Sequence, residues 1–273
     1  MINFVTLIAR KRRSFQNISA HISAIEYHLK ERRRVYRFKD SFRLTRLLRA
    51  IKRTAVPVHR YKVPISPRQL RRIMSYVTRW SFAPTLKFAI ALTLLAMLRK
   101  SNVAPTSRYN FNAAHQLCFG DVMINHKGSH LLLRLKWSKT KQNDEVAIIR
   151  IPRLPGSPFC PIRLYREYLN YIDCAPERQS PLLLIRDNSA RLQVVSAPFL
   201  NKYLRVAARE LGLPSQDISL HSLRRTGAII AKANGLEISD IKHMGTWSSD
   251  AIHCYLQACA HMFLPSQQAW QNM

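Results

Sequence analysis

Two segments in the last fifty or so residues carry the most informative pattern of the chain. Residues 221–226 read His-Ser-Leu-Arg-Arg-Thr, and residues 245–255 read Gly-Thr-Trp-Ser-Ser-Asp-Ala-Ile-His-Cys-Tyr. Taken singly, each side chain has an ordinary structural interpretation, since a histidine near a helix start can be a simple hydrogen-bonding residue and arginine is abundant in this chain. Their joint spacing is what points to chemistry.

Local patterns predict that both segments are largely helical. His221 begins a predicted helix that runs to about Gly235, a residue type that commonly ends helices. On this helix His221 and Arg224 share one face, because they are three residues apart. Two further helical segments are predicted, one ending at Gly245 and one carrying Tyr255 behind a serine cap at Ser249.

The longest apolar stretch, from Phe88 to Leu98, predicts a buried helix. Pro84 opens it, since proline suits the first turn of a helix, and the polar run Arg99-Lys100-Ser101-Asn102 ends it. The stretch is too short to cross a membrane. Ser66-Pro67 predicts the start of a preceding helix that runs to about Thr78.

Between these helical regions the period of the pattern changes. Leu131, Leu133 and Leu135 alternate with Arg134 and Lys136, and residues 146–151 are rich in β-branched side chains, so an antiparallel hairpin or small sheet is expected with residues 138–145 at its tip. Helical patterns return at 161–172 and 197–211. The predicted fold class is therefore mainly α with a small antiparallel β-sheet.

The charge of the chain indicates its partner. The 273 residues include 44 Lys+Arg and 15 Asp+Glu, a net charge of +29, and 47% are hydrophobic. That hydrophobic content predicts a folded core rather than a disordered basic tail. A folded chain so charged repels itself unless a polyanion neutralises it, which makes nucleic acid the first expected partner and an anionic membrane surface the second.

Nearly half of the excess charge lies in residues 1–63, which hold 17 basic and 3 acidic residues. Basic and apolar residues alternate there at helical spacing, and prolines in residues 54–67 predict a linker. We therefore expect a small helical domain with one basic, phosphate-tracking face at 1–63, which the family resemblance described below implies is a DNA clamp, and a larger domain at 64–273. The basic residues predicted to contact DNA are Arg12, Arg13, Arg33, Arg34, Arg43, Arg46, Lys52, Arg53 and Lys141.

Taken together, the motifs resemble the active site of the tyrosine recombinase and phage integrase family. The resemblance covers residues 64–273 in order and, more loosely, the basic N-terminal part. Its elements are an arginine ending a buried helix, a lysine on a β-hairpin, a His-x-x-Arg helix start, and a glycine followed by His or Trp with a tyrosine nine residues beyond. In this chain they are Leu98-Arg99-Lys100-Ser101-Asn102, Ser138-Lys139-Thr140, His221-Ser222-Leu223-Arg224, and Gly245-Thr246-Trp247 with Tyr255.

The resemblance implies DNA cleavage and rejoining without a metal or cofactor. Tyr255 would attack a phosphodiester and form a covalent phosphotyrosine, which retains the bond energy. Arg99 and Arg224 would hold the non-bridging oxygens. Lys139 would donate a proton to the leaving sugar oxygen while His221 assists proton transfer at the tyrosine. Lys141 is the alternative lysine, because the sequence leaves the hairpin register open.

Two positions depart from the family pattern. Thr246 follows the glycine where His or Trp is usual, with Trp247 one residue later, so either side chain could fill that role. This Gly-x-Trp-x-Ser form is similar to that of crypton and DIRS-like mobile-element recombinases. Asn102 stands where many members carry an acidic residue that orients the site, so an acceptor is kept but its charge is lost. Trp247, Thr246 and Asn102 are thus expected to support catalysis.

The resemblance further implies duplex DNA as partner and a homotetramer assembled on paired DNA sites. We expect an intracellular location with DNA, in the nucleus of a eukaryote or the nucleoid of a prokaryote. An apolar series near the end either folds back on its own domain or docks on a neighbouring subunit. It comprises Leu256, Met262, Phe263, Leu264 and Trp270.

Other functions remain as alternatives. A catalytically silent, domesticated DNA-binding protein with the same fold would keep the basic surface. A metal-dependent nuclease needs clustered carboxylates, whereas the acidic residues of 64–273 are scattered. A membrane-surface protein would not account for the C-terminal motifs. The five cysteines show neither a CxxC pair nor zinc-finger spacing, and they are predicted to be buried or partly buried thiols.

Overall fold

The computed structural model of the chain describes residues 1–11, 15–32, 38–54, 64–137, 146–247, 252–253 and 256. Within the chain two units are distinguished, Met1–Tyr61 and Lys62–Met273. Several residues predicted to act in the site or on DNA lie outside the described ranges, as do Ser249 and residues 257–273. These residues are Arg12, Arg13, Arg33, Arg34, Lys139, Lys141 and Tyr255.

The described residues of the first unit form three α-helices around a small apolar core. That core is formed by Val5, Ile18, Ile22, Phe38 and Leu44. The helices are amphipathic, with apolar residues on the core side and basic residues exposed. They are α1 (Ile2–Arg10), α2 (Phe15–Glu31) and α3 (Phe42–Thr54).

The second unit combines helices with two small antiparallel sheets, so the predicted fold class is confirmed. The predicted helices at 67–78, 161–172, 197–211 and 221–235 are all present within a residue or two. The helices of this unit are α4 (Pro67–Val77), α5 (Ala83–Leu95), α6 (Lys100–Val103), α7 (Pro161–Ile172), α8 (Ala197–Glu210), α9 (Leu220–Ala233) and α10 (Ile238–Met244).

The larger sheet is the predicted hairpin extended by one strand. Its strands are β1 (Val122–Ile124), β2 (His130–Leu135) and β3 (Ala147–Pro152), all antiparallel with β2 in the centre. Leu133 of β2 faces Val122 on one side and Ile149 on the other. The alternating leucines are buried as predicted, because successive residues of a strand point to opposite faces. A second sheet pairs β4 (Leu184–Arg186) with β5 (Leu192–Val194).

Helix α5 lies at the centre of the second unit, as its apolar sequence predicts. Nearly all its residues are buried, and it contacts both α7 and α9. On the α7 side, Phe88 stacks on Tyr165 and Tyr168 at centroid distances of 5.1 and 5.4 Å. The Tyr168 hydroxyl donates to Leu182 O at 2.6 Å, and burial raises the pKa of this phenol well above its usual range. Within the described ranges no helix is long and apolar enough to cross a membrane.

The C-terminal end of α5 differs from the prediction. The helix ends at Leu95, whereas the sequence indicated an end at Arg99–Asn102. Met97 adopts a left-handed conformation with φ 48°, which turns the chain so that Arg99 becomes the N-cap of α6. The apolar pattern continued past the true end because Ala96, Met97 and Leu98 are themselves buried in this turn.

The cysteine prediction also fails at Cys174, which is exposed, while Cys118 and Cys160 are buried.

Candidate active site

Helix α9, which carries Arg224, lies in close contact with α5, the helix that precedes Arg99 in the chain. Gly227, one turn after Arg224 on α9, lies against the backbone of α5: a Cβ added there would stand 2.0 Å from Leu94 O. No residue other than glycine fits such a contact without a backbone shift. Sequence inspection missed Gly227, although a glycine inside a helical pattern usually has a packing reason of this kind.

Arg224 is held from both sides. It is 4% exposed, and its Nη1 donates to Met97 O in the turn after α5. Its Nη2 donates to Gly245 O at 2.7 Å. The left-handed conformation of Met97 therefore matters for the site, because the Met97 carbonyl oxygen accepts a hydrogen bond from the buried Arg224 guanidinium.

Arg99 contacts the residue next to Gly245. Its Nη2 donates to Thr246 O at 2.7 Å, and its Nη1 donates to the Thr246 hydroxyl. Thr246 is 8% exposed and has φ 54°, a conformation that is uncommon for a residue with a Cβ. The two arginines, from separate elements, thus bind adjacent residues of a single turn that follows α10.

The ring of Trp247 completes this arrangement. The Arg224 Cζ lies 3.9 Å from the centroid of the Trp247 ring, a cation–π geometry. The same ring covers Gly245 so closely that an added Cβ would stand 1.6 Å from Trp247 Cζ3. Glycine is therefore required before Thr246 for a steric reason rather than for backbone freedom, since φ at Gly245 is −84°.

His221 and Asn102 lie on the elements that carry the two arginines. His221 is exposed in the first turn of α9, one turn before Arg224. Ser219 caps this helix, accepting a hydrogen bond from Ser222 N. Asn102, 3% exposed on α6, donates from Nδ2 to Trp137 O at 2.8 Å. The structure therefore brings Arg99, Arg224, Thr246 and Trp247 into one cluster, with His221 and Asn102 on its supporting helices.

The predicted DNA-contacting residues of α3 lie in the first unit. Arg43, Arg46, Lys52 and Arg53 are all exposed. Their apolar neighbour Leu44 is buried in the small core. The exposed side of α3 is consequently positive, as the amphipathic pattern indicated.

The chain has the fold of the tyrosine recombinases and integrases. Among solved structures, it is similar to the Tn1549 transposon integrase in complex with circular intermediate DNA, with 15% identity and a TM-score of 0.56 over 99% of this chain and 83% of that one. It is also similar to XerA recombinase, with 15% identity and a TM-score of 0.53 over 96% of this chain and 95% of that one.

A third similar structure is XerH site-specific recombinase bound to its difH substrate, with 12% identity and a TM-score of 0.52 over 73% of this chain. The chain spans about half the length of that protein, 52%. No family model and no curated protein matches the sequence. At such identities the likeness establishes the fold.

Proposed function

We propose that the protein is a tyrosine-type DNA recombinase that cleaves and rejoins DNA through a phosphotyrosine intermediate. The observation that carries the proposal is the convergence of Arg99 and Arg224 on the turn at Gly245 and Thr246. That turn leads directly into the segment that carries Tyr255. Paired guanidiniums suit a phosphodiester, because they stay charged and form forked hydrogen bonds to its oxygens.

In the proposed reaction the Tyr255 oxygen bonds to phosphorus and the bond from phosphorus to one sugar oxygen breaks. The phenol proton leaves with the assistance of His221, and the leaving sugar oxygen takes a proton from Lys139 or Lys141. Arg99 and Arg224 stabilise the charge that develops on the non-bridging oxygens. Attack by a sugar hydroxyl on the phosphotyrosine reverses these steps and rejoins the DNA, so no metal or cofactor is needed.

The proposal extends to the assembly and its biological setting. Duplex DNA is the substrate, with the exposed basic side of α3 tracking the phosphate backbone. A homotetramer on paired DNA sites would bring together the strands to be exchanged. A mobile genetic element of the crypton or DIRS-like kind is the proposed origin, on the strength of the Gly-x-Trp-x-Ser motif at Gly245–Ser249. The protein would act in the nucleus or the nucleoid, where its DNA lies.

Covalent trapping tests the proposal. The protein is incubated, with a chelator present, with a pool of duplexes that carry a randomised central segment and a nick in one strand. We expect a denaturation-resistant protein–DNA adduct with the unaltered protein and none with Tyr255→Phe. Tyr109→Phe is the matched control, since Tyr109 is 78% exposed and outside the cluster; it should form the adduct normally. An undiminished adduct with Tyr255→Phe would exclude Tyr255 as the nucleophile.

A second candidate is a DNA-binding protein that has lost catalysis. The observation that favours it is the bonding of Arg99 to the hydroxyl and carbonyl oxygens of Thr246, at the position where the family pattern has His or Trp. This protein would bind the same duplex pool and form no adduct under any condition. Binding without an adduct therefore favours this second candidate.

A further inference from the structure

The buried carboxylate of Asp121 lies at the centre of a polar cluster beside the predicted lysine hairpin. Asp121 is the last residue of a 3-10 turn at Phe119–Asp121 and directly precedes β1, and it is 2% exposed. Its Oδ2 accepts a hydrogen bond from Cys118 N at 2.9 Å. A buried carboxylate is costly unless it is paired and fully hydrogen-bonded.

Two charged side chains pair with Asp121: Arg134 in β2 and Lys136 directly after that strand. Lys136 Nζ lies 2.6 Å from Oδ2, and Arg134 Nε lies 3.1 Å from Oδ1. Lys136 also contacts the Cys118 sulfur at 3.3 Å. Burial is the main cause of the raised pKa of the Cys118 thiol, and Lys136 forms its ion pair with the Asp121 carboxylate.

The residue after Lys136 is fixed by a second contact. Asn102 donates to Trp137 O at 2.8 Å, and the Trp137 ring lies against His115 with centroids 4.8 Å apart. Asn102 belongs to the same short helix that Arg99 caps. Two contacts therefore fix the last described residues before the hairpin tip. Trp137 is bonded to Asn102 of α6, the helix that Arg99 caps, and Lys136 is paired with Asp121, which directly precedes β1.

We infer that Asp121 and Asn102 are positioning residues for the general-acid lysine. Lys139 follows Trp137 by two residues, so a fixed Trp137 backbone restricts where its ammonium group can reach. Without these contacts the strand end would move, and the proton donor would lose its alignment with the leaving oxygen. The inference rests on the proposed function, and it assigns a catalytic consequence to a carboxylate that sequence analysis did not single out.

Substitution of sulfur for the bridging oxygen of the leaving sugar gives a direct test. A thiol has a pKa of about 8.5, so a thiolate leaves without a proton, whereas an alkoxide requires one. The rate of adduct formation is measured in single turnovers on two nicked duplexes that differ only in this atom. Lys139→Ala, or Lys141→Ala where Lys141 is the general acid, should slow the oxygen reaction by about 10²-fold or more and be restored to nearly the unaltered rate by sulfur.

Asn102→Ala and Asp121→Asn should behave as weaker versions of Lys139→Ala. A small displacement of a catalytic group costs on the order of tenfold to 10²-fold, so we expect a loss in this range on the oxygen substrate and recovery on the sulfur substrate. Lys136→Gln repeats the test without altering the buried carboxylate, should Asp121→Asn fail to fold.

Asn125→Ala is the matched control at the opposite end of the sheet. The Asn125 side chain accepts hydrogen bonds from Ser129 N and His130 N in the turn between β1 and β2. Asn125→Ala also removes side-chain hydrogen bonds from the sheet, but at the end away from the lysine hairpin. It should therefore react like the unaltered protein on both substrates.

Equal losses on the oxygen and sulfur substrates, or no loss on either, would overturn the positioning role while leaving the proposed function intact. No adduct from the unaltered protein on either duplex would overturn the proposed function, and the positioning role with it.

Discussion

At the scale of single residues, the candidate site depends on how Gly245, Trp247 and Arg224 share one small volume. The Trp247 ring lies close to both Gly245 and the Arg224 guanidinium. The sequence motif predicted that these residues belong together. It left open what Thr246 and Trp247 each do, because the contacts depend on a left-handed residue at Thr246 that no local pattern reveals.

This arrangement predicts a strong coupling between Gly245 and Trp247. Gly245→Ala should destabilise the protein by about 1–3 kcal/mol, because the added methyl group displaces the ring. In a Trp247→Ala background the same change should cost almost nothing, since the obstacle is gone and φ at this position suits alanine. Denaturant unfolding of the four proteins of this double-mutant cycle measures the coupling. An equal cost in both backgrounds would mean that the ring does not cover Gly245.

At the scale of elements, the position of the site depends on the crossing of α5 and α9. Both helices were predictable from apolar periodicity and capping residues. Their crossing was not, since it depends on contacts between residues more than a hundred positions apart. The true end of α5 was missed because the buried turn at Ala96–Leu98 continues the apolar run. Strands β4 and β5 were missed because three residues are too few to show a period.

The close crossing predicts unequal costs for two glycine substitutions at the same helix. Gly227→Ala should destabilise the protein by roughly 3 kcal/mol or more and lower adduct formation, because the backbones of α5 and α9 must separate. Gly235→Ala, just after α9, meets no atom within 4 Å but has φ 85°, so it should cost only about 1–2 kcal/mol and spare the adduct. Thermal unfolding and covalent trapping compare them. Similar effects on both measurements would argue against a close crossing.

At the scale of the whole molecule, the net charge of +29 is concentrated in the N-terminal part of the chain. About half belongs to residues 1–63, where α3 exposes four of the predicted DNA-contacting side chains. Composition alone was enough to indicate a polyanionic partner. It could not indicate a DNA sequence, because phosphate contacts carry no base information.

The exposed basic side of α3 predicts a salt effect on binding to duplex DNA. Replacing Arg43, Arg46, Lys52 and Arg53 by Gln should reduce the slope of log K against log salt by about 3–4, since each phosphate contact contributes about 0.9. The charge-preserving exchange of Arg for Lys and Lys for Arg at the same positions should keep the slope. Fluorescence anisotropy with a duplex of arbitrary sequence measures it. An unchanged slope in the Gln variant would place the DNA-binding surface elsewhere.

The central claim is that Tyr255 becomes covalently joined to DNA, and peptide mapping of the adduct tests it most directly. Trypsin cleaves after Lys242, and no Lys or Arg follows through residue 273, so the peptide beginning at His243 contains Tyr255 as its single tyrosine. We predict that nuclease and trypsin digestion of the trapped adduct yields this peptide with a phosphonucleotide on Tyr255, located by tandem mass spectrometry. A phosphonucleotide on any other residue, with Tyr255 unmodified, would contradict the mechanism.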